Sequence, residues 1–471
     1  MVKGGGACTD LRKQTDKKLF NNLNMKEGVA MKKLLVVALM VVVVSALIVS
    51  GCKKGPKEEI RIGVPAPLTG MYAGFGEGGV FGMQAAVDDI NEEGGVYVEE
   101  FDSKLLVKLV VVNTESDPLK AGSLAESLIV NDKVHLLAYG DQPPPMNAGI
   151  STVADRYKVP FVPCTGPMEP WLGMRSEVEG NWQYTWAAGL FALGAPSPPG
   201  DFRHGKPGYT IGDTWVGMLH QYGDQTNKKV AFFAADDPDG VGWYAANPAV
   251  LKAEGYDVCG VDRKVGLAPL ETTDFSSIIN EWKNYGCEIL WGNAPAPFVG
   301  TLLRQCATLG FQPKMITIGR APLFYEDVNA WGGDVPLGVG VEIWWDPSFG
   351  DSPGIGDTTP QSLAERWTEK TGKQLNRNIG PGYSIIQVII DAVERAGSLD
   401  GEKLNAALAE TDVMTVRHRV KFNDQHFSRG PIVFGQWQKT ENPWIWECPV
   451  VFSKHDFIEA TADPLFPIPY E

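Results

Sequence analysis

The sequence predicts an α/β protein built as two Rossmann-like parallel-sheet lobes joined by a hinge of several crossovers. Three observations predict it. Short apolar runs alternate with segments whose apolar residues recur at helical spacing, the pattern of buried parallel strands and their crossover helices. The alternation occurs twice, on either side of a Gly/Pro-rich, poorly patterned stretch from Gly194 to Gly212. Finally, about 420 residues follow an N-terminal targeting segment, too many for one ordinary core.

The order of elements begins with that segment. Lys32 and Lys33 precede an uncharged run from Leu34 to Val49, and Val49-Ser50-Gly51-Cys52 follows. Basic residues, an apolar run and small residues before a Cys make a signal peptide with a lipobox over 31–51. The run is about 16 residues, short of the roughly 20 that cross a bilayer. Cys52 is therefore expected to be the lipidated first residue of the mature chain. Each methylene of its acyl chains would contribute about 0.8 kcal/mol to membrane retention. Residues 1–30 carry mixed charge and no apolar periodicity. They read as a mis-annotated leader, with translation expected from Met31. Residues 52–59, rich in Lys, Glu and Gly, form a tether.

Strands are predicted at Ile60 to Val64, Leu105 to Val112, Val134 to Tyr139 and Val159 to Pro163. Between them, Met83, Val87 and Ile90 share one helical face that stops at Gly94-Gly95. Ala121, Leu124, Ala125, Leu128 and Ile129 form a second stripe of 3.6-residue period. A second set of strands is predicted at Val230 to Ala235, Tyr256 to Val261, Glu288 to Gly292 and Lys314 to Ile318. Helices between them end at Gly286 and Gly310. Helices around Tyr383 to Ala396 and Leu404 to Leu408, with a few short strand-like pieces, finish the two lobes rather than start a third. The first lobe is thus expected over 60–183 plus about 347–415, and the second over about 184–346 plus about 416–471. In open parallel sheets the ligand lies outside the carboxyl ends of the strands, so the loops after Val64, Tyr139, Pro163, Ala235, Gly292 and Ile318 are the candidate site.

Composition excludes several classes. The net charge of -15 becomes -20 once the eight basic and three acidic groups of residues 1–51 are removed. So acidic a chain is not expected to bind nucleic acid. Five cysteines remain beside Cys52 at wide spacings, which implies no disulfide framework, although one bridge could form in an oxidising compartment. Six His with no HxxxH and no CxxC give a metal little support. Gly74-Phe75-Gly76-Glu77-Gly78-Gly79 lacks GxGxxG spacing, so no nucleotide or other cofactor is expected. No nucleophile with its base, and no carboxylate pair, marks an enzyme.

The residues also carry a resemblance. Ile62-Gly63-Val64-Pro65-Ala66-Pro67-Leu68-Thr69-Gly70, Phe75-Gly76, Ala86-Val87-Asp88-Asp89-Ile90-Asn91 and Gly94-Gly95-Val96 open the match. Ser116-Asp117-Pro118, Ala154-Asp155-Arg156-Tyr157-Lys158-Val159-Pro160, Thr273-Asp274-Phe275-Ser276 and Leu302-Leu303-Arg304-Gln305-Cys306-Ala307 extend it. Over about residues 58 to 455 the chain resembles the leucine/isoleucine/valine-binding type I periplasmic binding proteins. The resemblance implies a two-lobed captor of a small molecule that serves the permease and ATPase subunits of an ABC importer outside the cytoplasmic membrane. The alternative is a ligand-sensing receptor module of the same fold. The resemblance also implies that Phe75 is part of an aromatic ligand wall and that Asp239 lies on a second-lobe ligand loop.

Two loops depart from the family pattern. Where hydroxyl residues would hold a ligand carboxylate, the chain reads Gly140-Asp141-Gln142-Pro143-Pro144-Pro145. Where an acid would pair with an ammonium, it reads Gly319-Arg320-Ala321-Pro322. A guanidinium clamps a carboxylate and repels an amine. The expected ligand is therefore an aromatic or otherwise hydrophobic carboxylate, with a branched-chain amino acid next. Thr165-Gly166, opening toward a helix, is a second expected anion site. The 14 Trp, with Trp171, Trp243 and Trp291 near strand ends, would supply flat apolar walls.

Overall fold

The computed structural model describes residues 58–192, 208–350, 352–441 and 443–470, and the chain from Glu59 onward forms one compact unit. The targeting segment, Cys52 and most of the Gly194–Gly212 stretch lie outside these residues.

Two sheets organise the unit. The first opens with β1 (Glu59–Ala66), β2 (Val96–Val98), β3 (Ser103–Asn113), β4 (Leu136–Tyr139), β5 (Phe161–Thr165) and β6 (Ala187–Gly189). Helices α1 (Ala73–Glu92), α2 (Pro118–Val130), α3 (Pro144–Tyr157) and α4 (Met168–Glu177) intervene. The second sheet follows α5 (Ile211–Tyr222). It comprises β7 (Lys229–Ala235), β8 (Asp257–Val258), β9 (Leu267–Ala268), β10 (Ile289–Asn293), β11 (Met315–Gly319) and β12 (Val339–Ile343). Between these strands lie α6 (Pro238–Ala253), α7 (Ser276–Tyr285), α8 (Ala296–Leu309) and α9 (Tyr325–Trp331). Then α10 (Pro360–Thr371), α11 (Ile379–Ala396), α12 (Gly401–Ala409), β13 (Asp412–Met414), β14 (Arg419–Lys421) and β15 (Phe427–Arg429) lead to β16 (Val433–Gln436), β17 (Gln438–Lys439), β18 (Trp446–Glu447) and β19 (Val450–Phe452).

The sheet orders are β15-β6-β5-β4-β1-β3-β2 and β19-β16-β12-β11-β10-β7-β8, with β9 beside β7. Strands run parallel except at the edges, where β2, β16 and β19 pair antiparallel. Central strands β4, β5, β10, β11 and β12 are buried at every residue, because helices cover both faces of a parallel sheet. Their sequences are accordingly mainly apolar rather than alternating, with Glu342 in β12 as the charged exception.

The chain passes between the sheets three times: between β6 and α5, between β12 and α10, and between β15 and β16. The composition placed the first crossing after 183 and the last near 415. The structure moves both later, because Ala187–Gly189 pairs with β5 and Phe427–Arg429 pairs with β6 in the first sheet. These strands have only three residues each, and one carries Arg429, so neither stood out as an apolar run. The predicted strand from Tyr256 to Val261 likewise shrinks to Asp257–Val258, since the chain turns into a 3-10 helix at Val261–Arg263. The second crossing carries Trp344 and Trp345, both buried, and the Trp345 indole donates to the Val416 carbonyl at 3.1 Å. Arg417 braces the same place, donating to the Trp344 carbonyl at 3.3 Å and the Cys164 sulfur at 3.2 Å.

The glycines Gly78 and Gly82 bring α1 against α11. A Cβ at Gly82 would run into the Ile379 carbonyl, and one at Gly78 into the Asn376 amide. Gly78, in the glycine-rich run 74–79, thus serves close packing of α1. All five described cysteines are buried free thiols, and Cys259 and Cys287 share a hydrogen bond. Among the described residues no helix is long and apolar enough to cross a membrane, and no group of His, Cys, Asp and Glu could hold a metal ion.

Candidate ligand site

A cavity of about 280 Å³ lies between the carboxyl ends of the two sheets. Every loop singled out by topology contributes to it: Tyr72 and Phe75 after β1, Asp141 after β4, Gly166 after β5, Asp237 and Asp239 after β7, Asn293 at the end of β10, and Arg320 after β11. Glu342 and Trp344, from β12 and the second crossing, complete the wall. Such a volume suits a small ligand.

Phe75 lines the cavity. Its ring meets Phe324 of the second lobe edge-on at 4.8 Å and lies nearly parallel to Trp344 at 6.3 Å. Backbone contacts hold it there. Asn378, the residue before α11, donates to the Phe75 and Asp141 carbonyls at 2.6 and 2.9 Å and accepts from the Asp141 amide at 2.9 Å. Asn376 donates to the Gly74 carbonyl at 2.8 Å and accepts from the Asn378 amide at 2.9 Å. One buried asparagine thus ties together two loops that are far apart in sequence.

The loop after β4 supplies Asp141 to the cavity, whereas Gln142 is buried beside it and donates to Asn147 instead. Thr165 also stays out of the cavity. Its hydroxyl donates to the Gln142 carbonyl at 3.2 Å. Nor does the start of α4 offer the expected anion site. Pro167 has no N–H, and the Met168 amide already donates to the Leu190 carbonyl at 2.8 Å. Gly166 does line the cavity, through its backbone. Of the three tryptophans named from sequence, only Trp243 reaches the wall; Trp171 packs in a satellite cluster, and Trp291 is buried with its indole donating to Asn247 at 3.1 Å.

Arg320 lies in the wall, but its guanidinium is engaged. It donates to Asp237 at 2.9 Å and pairs with Asp239 at 3.2 Å. Both aspartates are fixed in turn: Asp237 accepts from the Gly240 amide at 2.8 Å, and Asp239 from the Asn293 amide group at 2.9 Å. The free carboxylate clamp expected from sequence is therefore absent, because acidic side chains of the α6 N-terminus reach it first. Arg320 itself has φ +67° and ψ -46°, a region costing a non-glycine residue about 1–3 kcal/mol. The ion pairs offset that strain. Ala321 is buried in the short turn that follows and does not line the cavity.

Sequence reasoning missed Glu342, and no local signal marked it, since it is one polar residue in the apolar run of β12. Its side chain is buried, and burial pushes its carboxyl up to about 8, with Asp239 and Asp141 adding repulsion. Burial likewise pushes Asp141 up to about 7, against the attraction of Arg417. Asp239 is raised by burial too, although Arg320 lowers it.

Fold and cleft together define a two-lobed solute-binding protein. Residues 59–442 match the periplasmic binding protein family, and the chain belongs to it. Its relatives include the leucine-, isoleucine-, valine-, threonine- and alanine-binding protein of Pseudomonas aeruginosa, 22% identical over 78% of this chain and 87% of that one. The fold matches the leucine-binding protein of Thermotoga maritima (TM-score 0.63, 19% identity, 84% of this chain and 99% of that one). It also matches an ABC transporter solute-binding protein of Rhodopseudomonas palustris in complex with 3,4-dihydroxybenzoic acid (TM-score 0.61, 17% identity, 86% and 99%). The family consists of extracytoplasmic solute-binding proteins of the ABC-transporter type, not enzymes.

Proposed function

We propose that this chain captures a small organic solute with a flat apolar body between its two lobes and hands it to the permease of an ABC importer, while tethered to the cell envelope through lipid on Cys52. The observation that carries the reading is the cavity itself. The carboxyl-end loops of both sheets line it, and Phe75 in its wall meets Phe324 of the second lobe. Tyr72, Phe75, Trp243 and Trp344 supply the flat walls. The relatives are consistent with this, since one binds branched-chain amino acids by name and one was solved with an aromatic acid. In this mechanism the ligand favours the closed arrangement over the open one; without that difference its binding would shift nothing.

Two measurements test the reading. Calorimetry with a panel of aromatic and branched-chain solutes, combined with solution X-ray scattering, should show a ligand-dependent fall in radius of gyration. Binding with no change in scattering would remove lobe closure from the mechanism. For the tether, radiolabelled palmitate should enter the wild-type chain expressed in a bacterium but not Cys52→Ser. Equal incorporation into both would locate any lipid elsewhere.

A further inference from the structure

The cavity wall carries one guanidinium and four carboxyl groups. Arg320 is committed to Asp237 and Asp239, so this trio already has an excess of one negative charge. Neither of the other two carboxyls sits in such an ion pair among the described residues, although Arg417, outside the wall, attracts Asp141. Glu342 and Asp141 are only 8% and 4% exposed, both line the cavity, and one carboxyl oxygen of each lacks a hydrogen-bond partner among the described residues. Glu342 lies near enough to Asp141 and Asp239 to be repelled by both. Each keeps a backbone hydrogen bond, but burying a carboxyl that is only half satisfied and outside an ion pair is costly, and packing alone gives no reason to place two of them in a ligand cleft. Electron-rich ring faces surround them. Phe75, Tyr72, Trp243 and Trp344 line the same space, and aromatic faces with buried carboxylates make a favourable setting for an organic cation. An anion would find four carboxyls against two buried donors without a partner, the Nε of Arg320 and the indole N–H of Trp344.

We propose that the solute captured here is an organic cation, an ammonium group on an apolar body without a carboxylate, whose charge is held by Glu342 and Asp141 against the aromatic wall. This rests on the capture function proposed above and assigns the chemical class of its ligand. The ammonium would sit where these two carboxyls meet the cavity, and the apolar body would lie against Phe75 and Trp243. Arg320 acts as a positioning residue that holds Asp237 and Asp239 in the wall.

The test uses the full-length chain and three probes sharing one ring: phenethylamine, 3-phenylpropionate and phenylalanine, with leucine as a fourth. Calorimetry near pH 7.5 should show phenethylamine binding about tenfold or more tighter than 3-phenylpropionate. Glu342→Gln and Asp141→Asn, which keep shape but cannot give up a proton when the ammonium arrives, should each weaken phenethylamine by about tenfold. Circular dichroism melts would establish that both variants fold. Binding of 3-phenylpropionate or of an amino acid in preference to the amine would overturn the cation assignment and leave solute capture standing. So would wild-type affinity for phenethylamine in both variants. Failure of all four probes to bind would overturn the capture reading and this one together.

Discussion

A single buried amide does much to shape the cavity. Asn378 serves three backbone groups on two loops, so Asn378→Ala would leave the Asp141 amide and two carbonyls buried and unpaired. At about 1–3 kcal/mol for each lost buried partner, the variant should be about 3 kcal/mol less stable by urea denaturation and should bind solute more weakly. A second residue-scale consequence concerns pH. Asp141 near 7 and Glu342 near 8 hold protons that the unfolded chain releases at an ordinary carboxyl value of about 4. Stability must therefore fall as pH rises through that window. The groups facing them are Arg417 for Asp141, and Asp239 with Asp141 for Glu342. The buried His426 and His455, held down at about 4, act in the opposite sense, but their contribution is complete by about pH 6.5. Between pH 6.5 and 8 the carboxyls decide the slope. The melting temperature of the ligand-free protein should drop across that interval, and Glu342→Gln should flatten the drop.

At the scale of elements, the α1–α11 pair depends on absent side chains. A Cβ at Gly82 meets the Ile379 carbonyl, a backbone atom that cannot rotate away. Gly82→Ala should therefore cost about 2 kcal/mol or more despite its better helix propensity, seen as a lower thermal midpoint. Elements of this kind were legible in the sequence to very different degrees. Central strands and crossover helices could be read directly, because burial on both faces leaves long apolar runs and the helices end at Gly286 and Gly310 with left-handed backbone. Three-residue edge strands such as Phe427–Arg429 could not, since pairing on one side demands little of a sequence. The site divided along the same line. Phe75, Asp141, Gly166, Asp239 and Arg320 were placed by strand-end topology and by resemblance. What Arg320 touches depends on Asp237, 83 positions away, and Asn378 works on residues 237 and 303 positions distant. Nothing local encodes contacts of that range.

For the whole molecule, the contact between Phe75 and Phe324 is one of the points where the lobes meet. An edge-on aromatic pair contributes about 1 kcal/mol beyond its area. Phe324→Ala should then shift the balance toward the open arrangement by about fivefold, read as a larger radius of gyration without ligand and a weaker apparent affinity with it. The second crossing has a different consequence. Trp344 belongs at once to the chain segment that joins the lobes and to the cavity wall. In the capture mechanism proposed above, occupancy and lobe angle would be linked mechanically in one residue, with no relay between them. Its indole should also report both by emission, so that a shift on ligand addition that is lost in Trp344→Phe would convert this chain into an optical sensor of its own cargo.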